Sequence, residues 1–384
     1  MPSPSPFLPP PLLVSPPRRR HKGPLCRFPV SPLFLLPLTL LPSFPDTPFP
    51  PRPSSSLFPL PSSLFPFSPR RIVIDALLIA NPAAGSGPRW SRAAARFDLD
   101  RVLTLLRSRF EIEVETSMFP GHAEDLAREA AASGREVVFA LGGDGTAREV
   151  AAGLLGSASQ LALLPVGTTN VLPAALGLPR DATACARRYL DADPTGSAAI
   201  DVGLCGDRPF LMMASRGFDA DVLARLSPRR KKRWGRLGVV AQGIGELLRH
   251  RPRGFEIELE DGGQRSSSQR AELAAACNIA QYGGRFLLAP DASPHDGLLD
   301  VVLLERSSRM ALLGLALRVA GGVRRRPGTP VRRTPELFLH GSGPVTMQLD
   351  GDPLELRLPL RVRLLPGALR ILGSAASPDP RHHL

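Results

Sequence analysis

At 384 residues the chain is long enough for two domains with real cores, but 43 prolines are too many for an evenly globular polypeptide. A net charge of +13 points to an anionic partner: a nucleotide, a membrane surface or nucleic acid. The four cysteines, Cys26, Cys185, Cys205 and Cys277, show no CxxC spacing, which argues against a zinc site or a disulfide framework and suits a reducing compartment.

Residues 1–70 form a leader of Pro, Ser, Leu and Phe with eight Lys or Arg against one acid before Ile72. Prolines break the apolar stretch from Leu33 to Leu41, so it reads neither as a membrane-spanning helix nor as a clean signal sequence. Two readings stand: a disordered leader, or a stretch that is not native, since the next methionine after Met1 is Met118 and a start at another codon near Arg71–Val73 would be invisible. Residues 374–384 read as a tail.

The folded part begins with the apolar run Asp75–Ala80, a buried strand ending in Asn81-Pro82-Ala83-Ala84-Gly85-Ser86-Gly87. Helical spacing follows over 89–109. Glu111–Glu115 alternates as a half-exposed strand, and a helix opens at Gly121 and ends near Ser133-Gly134. Next comes Val137-Val-Phe-Ala-Leu-Gly-Gly-Asp-Gly-Thr146, a strand handing over to a helix through glycines that bracket one aspartate. Glycines let a backbone approach a polyphosphate with no Cβ in the way, and helix-start amides face the anion. Asp144 would repel phosphate unless a divalent cation bridges the two, so we assign it to Mg²⁺, directly or through water. A tight turn without ligand is the alternative. The strand Leu161–Leu164 ends in a third such turn, Pro165-Val-Gly-Thr-Thr-Asn170, which suits phosphate, ribose or base recognition.

Composition changes near Ile200. Short strand-like runs follow at 200–204, 209–214, 254–259, 272–279, 298–304, 336–339 and 354–364, with helices at about 234–249 and 308–320, a pattern for an antiparallel β sandwich. The expected architecture is therefore α/β plus β: a Rossmann-like nucleotide-binding domain over 71–195 and a β-sandwich domain over 196–373. Arg229–Arg236 places six cations around Trp234, which suits an anionic bilayer surface or a solvated basic turn, and Arg324–Arg326 with Arg332-Arg333 would reinforce the former. Two Trp and two Tyr give little aromatic interleaving with these runs, so no nucleic-acid partner is expected.

Asn81-Pro82 with Gly85, Gly142–Thr146, Pro165–Asn170, Gly283–Phe286 with Ala289-Pro290, Asp296–Asp300 and Asp350-Gly351-Asp352 together resemble the diacylglycerol kinase catalytic domain family, over residues 74–372. The resemblance implies ATP bound between the two domains and transfer of its γ-phosphoryl group to a lipid hydroxyl by a cytoplasmic, peripherally membrane-associated enzyme, and it leaves a homodimer open. The implied nucleotide contacts are Asn81, Pro82, Gly85, Ser117, Gly142, Gly143, Asp144, Gly145, Thr146, Glu149, Gly167, Thr168 and Asn170. It also implies a structural Mg²⁺ at the Asp-Gly turn, held by the backbone carbonyls of Ser293 and Leu298 and by the Asp296 carboxylate. The general base corresponds to Asp352, where the family carries glutamate, with Asp350 as the competing candidate and Asp144 in the metal-bridging role. Val171 stands where many members have aspartate, and Asp219 is a replacement for it or a helix cap. A nucleotide-cofactor kinase of the NAD kinase type and a non-catalytic nucleotide-binding module are the other two readings.

Overall fold

A computed structural model describes residues 73–84, 92–166, 170–193, 197–225, 253–283, 286–320 and 331–374, with isolated positions between 243 and 249. The leader, the tail, the helix expected over most of 234–249, and the basic runs 229–236 and 324–326 lie outside the described residues, as do Gly85, Gly167, Thr168 and Arg285.

Apolar β-branched runs give the first four strands: β1 (Ile74–Ala80), β2 (Phe110–Thr116), β3 (Val137–Gly142) and β4 (Gln160–Pro165). β1 pairs in parallel with β2 and β3, and β3 with β4, giving the order β2-β1-β3-β4. Strands buried on both faces read as continuous apolar runs; β3 and β4 do so, whereas edge strand β2 alternates as expected. Helices α1 (Arg92–Leu106), α2 (His122–Ala132), α3 (Asp144–Leu154), α4 (Val171–Ala175) and α5 (Ala182–Asp191) make the connections. α2 and α3 pack closely because α3 carries Gly153: a Cβ there would meet the Glu124 carbonyl oxygen at 2.3 Å. From α5, the buried Tyr189 hydroxyl donates to the Leu163 carbonyl at 2.8 Å and accepts from the Leu163 amide at 2.9 Å, so the ring enters the core with its polar end satisfied.

The order of strand addition reverses between β1 and β3, where the connection after β1 leads to β2 on one side and that after β3 leads to β4 on the other. In open parallel sheets that switch point, at the carboxyl ends of the strands, is where ligands bind. Asn81, Ser117, Gly143 and Val166 each follow directly on one of the four strands, so all four stand at this edge.

The second part is antiparallel: β5 (Ala198–Cys205), β6 (Arg208–Phe210), β7 (Met213–Arg216), α6 (Phe218–Arg225), β8 (Phe255–Asp261), β9 (Gln264-Arg265), β10 (Gln269–Ala271), β11 (Leu273–Cys277), the small pair β12 (Gln281-Tyr282) and β13 (Phe286-Leu287), then β14 (Leu299–Leu304), α7 (Arg309–Ala320), β15 (Val331–Thr334), β16 (Glu336–Leu349) and β17 (Asp352–Ile371). The expected class, α/β followed by a β-rich domain, is the one observed.

Three elements differ from the sequence reading. The single strand expected over 209–214 is split into β6 and β7, because the amides of Leu211, Met212 and Met213 turn aside to one carboxylate, that of Asp350. The run at 336–339 continues to Leu349: His340-Gly-Ser-Gly343 reads as a break, but it is a bulge, with Gly341 at φ 127° and Gly343 at φ 86°. β17 extends the run at 354–364 in both directions. It pairs with β16, then antiparallel with β5, and finally in parallel with β4 through Arg370 and Ile371. Its last residues, Leu369, Ile371 and Leu372, are consequently buried in the core of the α/β part, while Leu360, Val362 and Leu364 belong to the core of the β part.

Candidate active site

The turn after β3 is shaped by what glycine allows. A Cβ on Gly142 would lie 2.4 Å from the Thr146 hydroxyl, so no other residue fits without displacing the first turn of α3. Gly143 is the N-cap of α3 and brings no side-chain cap. The Ala147 amide is the first in the helix to reach a backbone carbonyl, that of Gly143, so the amides of Gly145 and Thr146 precede the intrahelical ladder, as an anion-binding helix start requires. Asn81, at the end of β1, donates from Nδ2 to Thr146 Oγ1 at 2.9 Å and accepts the Ala83 amide on Oδ1, so the β1 and β3 turns are joined directly. Ser117 is buried at the end of β2, and Glu149 is half-buried one turn into α3.

Asp144 faces the start of α4. Its two carboxylate oxygens accept the amides of Val171 and Leu172, each at 3.1 Å. The charge that would repel a phosphate is thus partly absorbed by a second helix N-terminus. This contact uses the backbone of Val171, whose side chain is buried, so losing a carboxylate at position 171 leaves it intact. Asn170 adopts the left-handed conformation at φ 43° and donates to the Arg180 carbonyl at 3.1 Å; its buried Oδ1 has no partner among the described residues. Gly142, Gly143, Asp144, Pro165, Asn170 and Pro173 line a narrow pocket at this point.

Asp350 and Asp352, adjacent in sequence, are in opposite situations. Asp350, at φ 52°, accepts the amides of Met212 and Met213 on Oδ1 and that of Leu211 on Oδ2, at 2.8–3.0 Å. Burial pushes its carboxyl up to about 6, against the pull of those three amides and of Arg148. That is the environment of a structural post. Asp352 opens β17 with 42% of its side chain exposed; Oδ2 accepts from Arg148 Nη2 at 2.9 Å and lies 3.7 Å from where a Gly145 Cβ would stand. Arg148, on α3, keeps 16% of its side chain exposed and has a buried Nε without a partner among the described residues. Sequence reasoning passed over Arg148 as a helix residue, and no local signal could have linked it to a partner so distant in the chain.

The expected metal turn is organised otherwise. Asp296 Oδ1 accepts the Leu298 amide at 3.0 Å, and Oδ2 pairs with the Arg333 guanidinium, which also lies 3.7 Å from Asp300 Oδ2. The buried Asp201 accepts the amides of Gly297 and Gly367, both at 2.8 Å, and donates its own amide to the Pro294 carbonyl near Ser293. With the Arg333 guanidinium lying against Asp296 and Asp300, where a cation would lie, Ser293, Asp296 and Leu298 do not offer a fitting site for Mg²⁺. Among the described residues no cluster of three or more metal-ligating side chains occurs. Arg333, read from sequence as part of a basic docking run, is thus committed to two carboxylates. Asp219, half-buried at the start of α6, accepts from the Ser215 hydroxyl, and desolvation raises its carboxyl.

A parallel sheet with a glycine turn at its switch point, facing a carboxylate supplied by an antiparallel second lobe, defines a two-lobed phosphotransferase. Residues 75–203 match the diacylglycerol kinase catalytic domain, and residues 212–373 match the YegS C-terminal NAD kinase beta sandwich-like domain. The chain is 34% identical over 274 residues to "Probable lipid kinase YegS-like" of Pseudomonas putida, covering 71% of this chain and 88% of that one. It is 37% identical over 277 residues to the protein of the same name from Pseudomonas aeruginosa PAO1, covering 70% and 86%. Among solved structures, a diacylglycerol kinase from Bacillus anthracis str. Sterne superposes with a TM-score of 0.61 at 22% identity, covering 77% of this chain and 96% of that one, a likeness of fold. The chain belongs to the diacylglycerol kinase catalytic domain family, and it is a kinase.

Proposed function

We propose that the protein transfers the γ-phosphoryl group of ATP, with Mg²⁺, to a hydroxyl of a diacylglycerol- or sphingosine-like lipid at a membrane surface. The observation that carries this reading is the meeting of the α3 turn with Asp352 through Arg148, which places a carboxylate of one lobe beside the phosphate-facing turn of the other.

In this reading the amides of Gly145 and Thr146 and the Thr146 hydroxyl hold the nucleotide phosphates, with Asn81 fixing that hydroxyl. Ser117, Glu149 and Asn170 complete the nucleotide cleft at the strand ends, and the unpartnered Asn170 Oδ1 and Arg148 Nε are buried polar atoms that a nucleotide would satisfy. The Asp144 carboxylate, held between the α3 turn and the start of α4, is the group that would hold a hydrated cation. When bound, Mg²⁺ neutralises charge on the transferring phosphoryl group. Asp352 accepts the proton of the lipid hydroxyl as that oxygen attacks the γ-phosphorus, and ADP leaves with the electron pair of the broken P–O bond. Asp350 holds the β6–β7 turn against the first residues of β17 and takes no proton in this scheme.

Among the described residues no helix is long and apolar enough to cross a membrane, so access to a lipid would be from the bilayer surface. The test is transfer from γ-labelled ATP with Mg²⁺ by the full chain to a panel of diacylglycerol, monoacylglycerol, sphingosine and NAD, read by phase partition. Label in the organic phase supports the proposal and names the acceptor. Label in NAD, or none with ATP bound, overturns it.

A further inference from the structure

Helix α7 is apolar on two faces. Leu312 is buried and Leu315 packs beside it, against the cluster that contains Met213, Leu273, Cys277 and Val302. The opposite side leaves Met310 75%, Leu313 40% and Leu317 65% exposed, with Ala316 also open to solvent. At about 100° per residue these four positions fall within about 120° of arc, so they form one continuous stripe. β13, which packs against α7, adds Phe286 at 42% exposure. Scattered apolar side chains on a surface need no explanation, but a contiguous stripe does.

The charge around this stripe indicates what covers it. From position 306 to position 333 the sequence has eight arginines and no acid. Arg306 and Arg309 are exposed at the start of α7; Glu305 is the acid nearest to them in sequence, and Arg333 is committed to Asp296. An apolar stripe flanked at its start by the exposed Arg306 and Arg309 suits the interface of an anionic bilayer, where the apolar side chains enter the acyl boundary and the cations meet lipid phosphates. A second copy of the chain fits less well, because the pairing of two such faces would bring two sets of arginines together.

We propose that the exposed face of α7, together with Phe286, is the surface through which this enzyme docks on an anionic bilayer. The proposal rests on the lipid-acceptor reading for its purpose. Its position is suited to that purpose: α7 packs on the cluster that holds Met213, and the Met213 amide is bound by Asp350, two residues before Asp352.

The test uses the full chain with two sets of vesicles, one of phosphatidylglycerol and phosphatidylcholine and one of phosphatidylcholine alone, read by flotation. The double variant Met310→Ser, Leu317→Ser changes two exposed side chains, so its thermal unfolding should match the parent. Its binding to the anionic vesicles should fall at least about tenfold, while transfer to lipid dispersed in detergent micelles stays within about twofold of the parent, since no phosphate-binding or proton-accepting group is touched. The variant Arg306→Gln, Arg309→Gln should lose the preference for the anionic vesicles. Parental vesicle binding in the Met310/Leu317 variant, or no vesicle binding by the parent, overturns the proposal. So does a variant that only changes from dimer to monomer in sedimentation, which would make the face a contact between copies. Absence of transfer to any lipid in detergent would sink the lipid-acceptor reading instead, and the vesicle measurement reports on the surface independently of it.

Discussion

Arg148 and Asp352 are 204 positions apart in the chain and meet at 2.9 Å, joining the first turns of α3 to the first residue of β17. The contact ties the phosphate-facing turn to the carboxylate opposite it. A shorter aspartate in a glutamate's place can remain useful when a long, mostly buried arginine fixes its position, since a carboxylate that must reach a hydroxyl gains from being held.

Replacing Asp352 by asparagine removes the proposed proton acceptor with little change of volume. The expected result is a kcat reduced by at least about 100-fold with ATP affinity within about twofold. Steady-state kinetics alongside a nucleotide-binding titration checks this. If Asp350→Asn gives that phenotype while Asp352→Asn is active, the roles of the two aspartates are exchanged.

In the proposed scheme Arg148 acts through Asp352, as a positioning residue. Arg148→Met should lower kcat by about tenfold with a smaller change in the KM for ATP, and Arg148→Lys should restore part of the loss. A purely structural role would lower the melting temperature and move both kinetic constants together.

Asp144→Ala removes two amide acceptors at the start of α4 and the carboxylate assigned to the metal. Transfer should be abolished, while stability falls by about 1 kcal/mol, the usual cost of losing a helix cap. Circular dichroism melts and the transfer assay separate the two effects. Near-normal turnover would remove Asp144 from the chemistry.

The turn from Ser293 to Leu298 should be indifferent to chelation. With Arg333 bonded to Asp296 and near Asp300, EDTA is expected to leave the melting temperature unchanged, whereas Arg333→Met should destabilise by about 2 kcal/mol by leaving the buried Asp300 without a counter-charge. A melting temperature that falls on chelation and recovers with Mg²⁺ would show that an ion holds the turn.

Asp300 also sets a pH dependence. Burial pushes its carboxyl up to about 6, more than Arg333 pulls it down. The folded state then holds this proton more tightly than the unfolded state, where the group titrates near its ordinary value of 3.8. Its contribution to stability is fully present below that value and is lost as the pH rises through about 6. Melts of the parent and of Asp300→Asn between pH 4 and 7 should diverge in slope, with the variant flatter. Parallel curves would show that another group dominates.

Much of the α/β half was legible in the chain. Its strands are short apolar runs, its helices have helical spacing, and its turns are glycine-rich, all signals carried by neighbours in sequence. The order of those turns made Asn81, Gly142–Thr146 and Asn170 readable as one edge, and the structure brings them together there, with Asn81 bonded to Thr146. The later strands were harder. A strand that passes through His340-Gly-Ser-Gly343 on a bulge reads only as its first part, 336–339, and the strand over 209–214 is divided by an aspartate far along the chain.

What the sequence determined by itself was the set of chemical groups and the edge on which half of them stand, because strand and turn propensities act over a few residues. The tertiary structure alone decided that Asp350 is tied to three backbone amides while Asp352 keeps 42% of its side chain exposed, that Arg148 bonds the latter, and that Arg333 pairs with the Asp296 turn. Those outcomes depend on desolvation and on contacts between groups tens to hundreds of positions apart, which leave no local pattern in the chain.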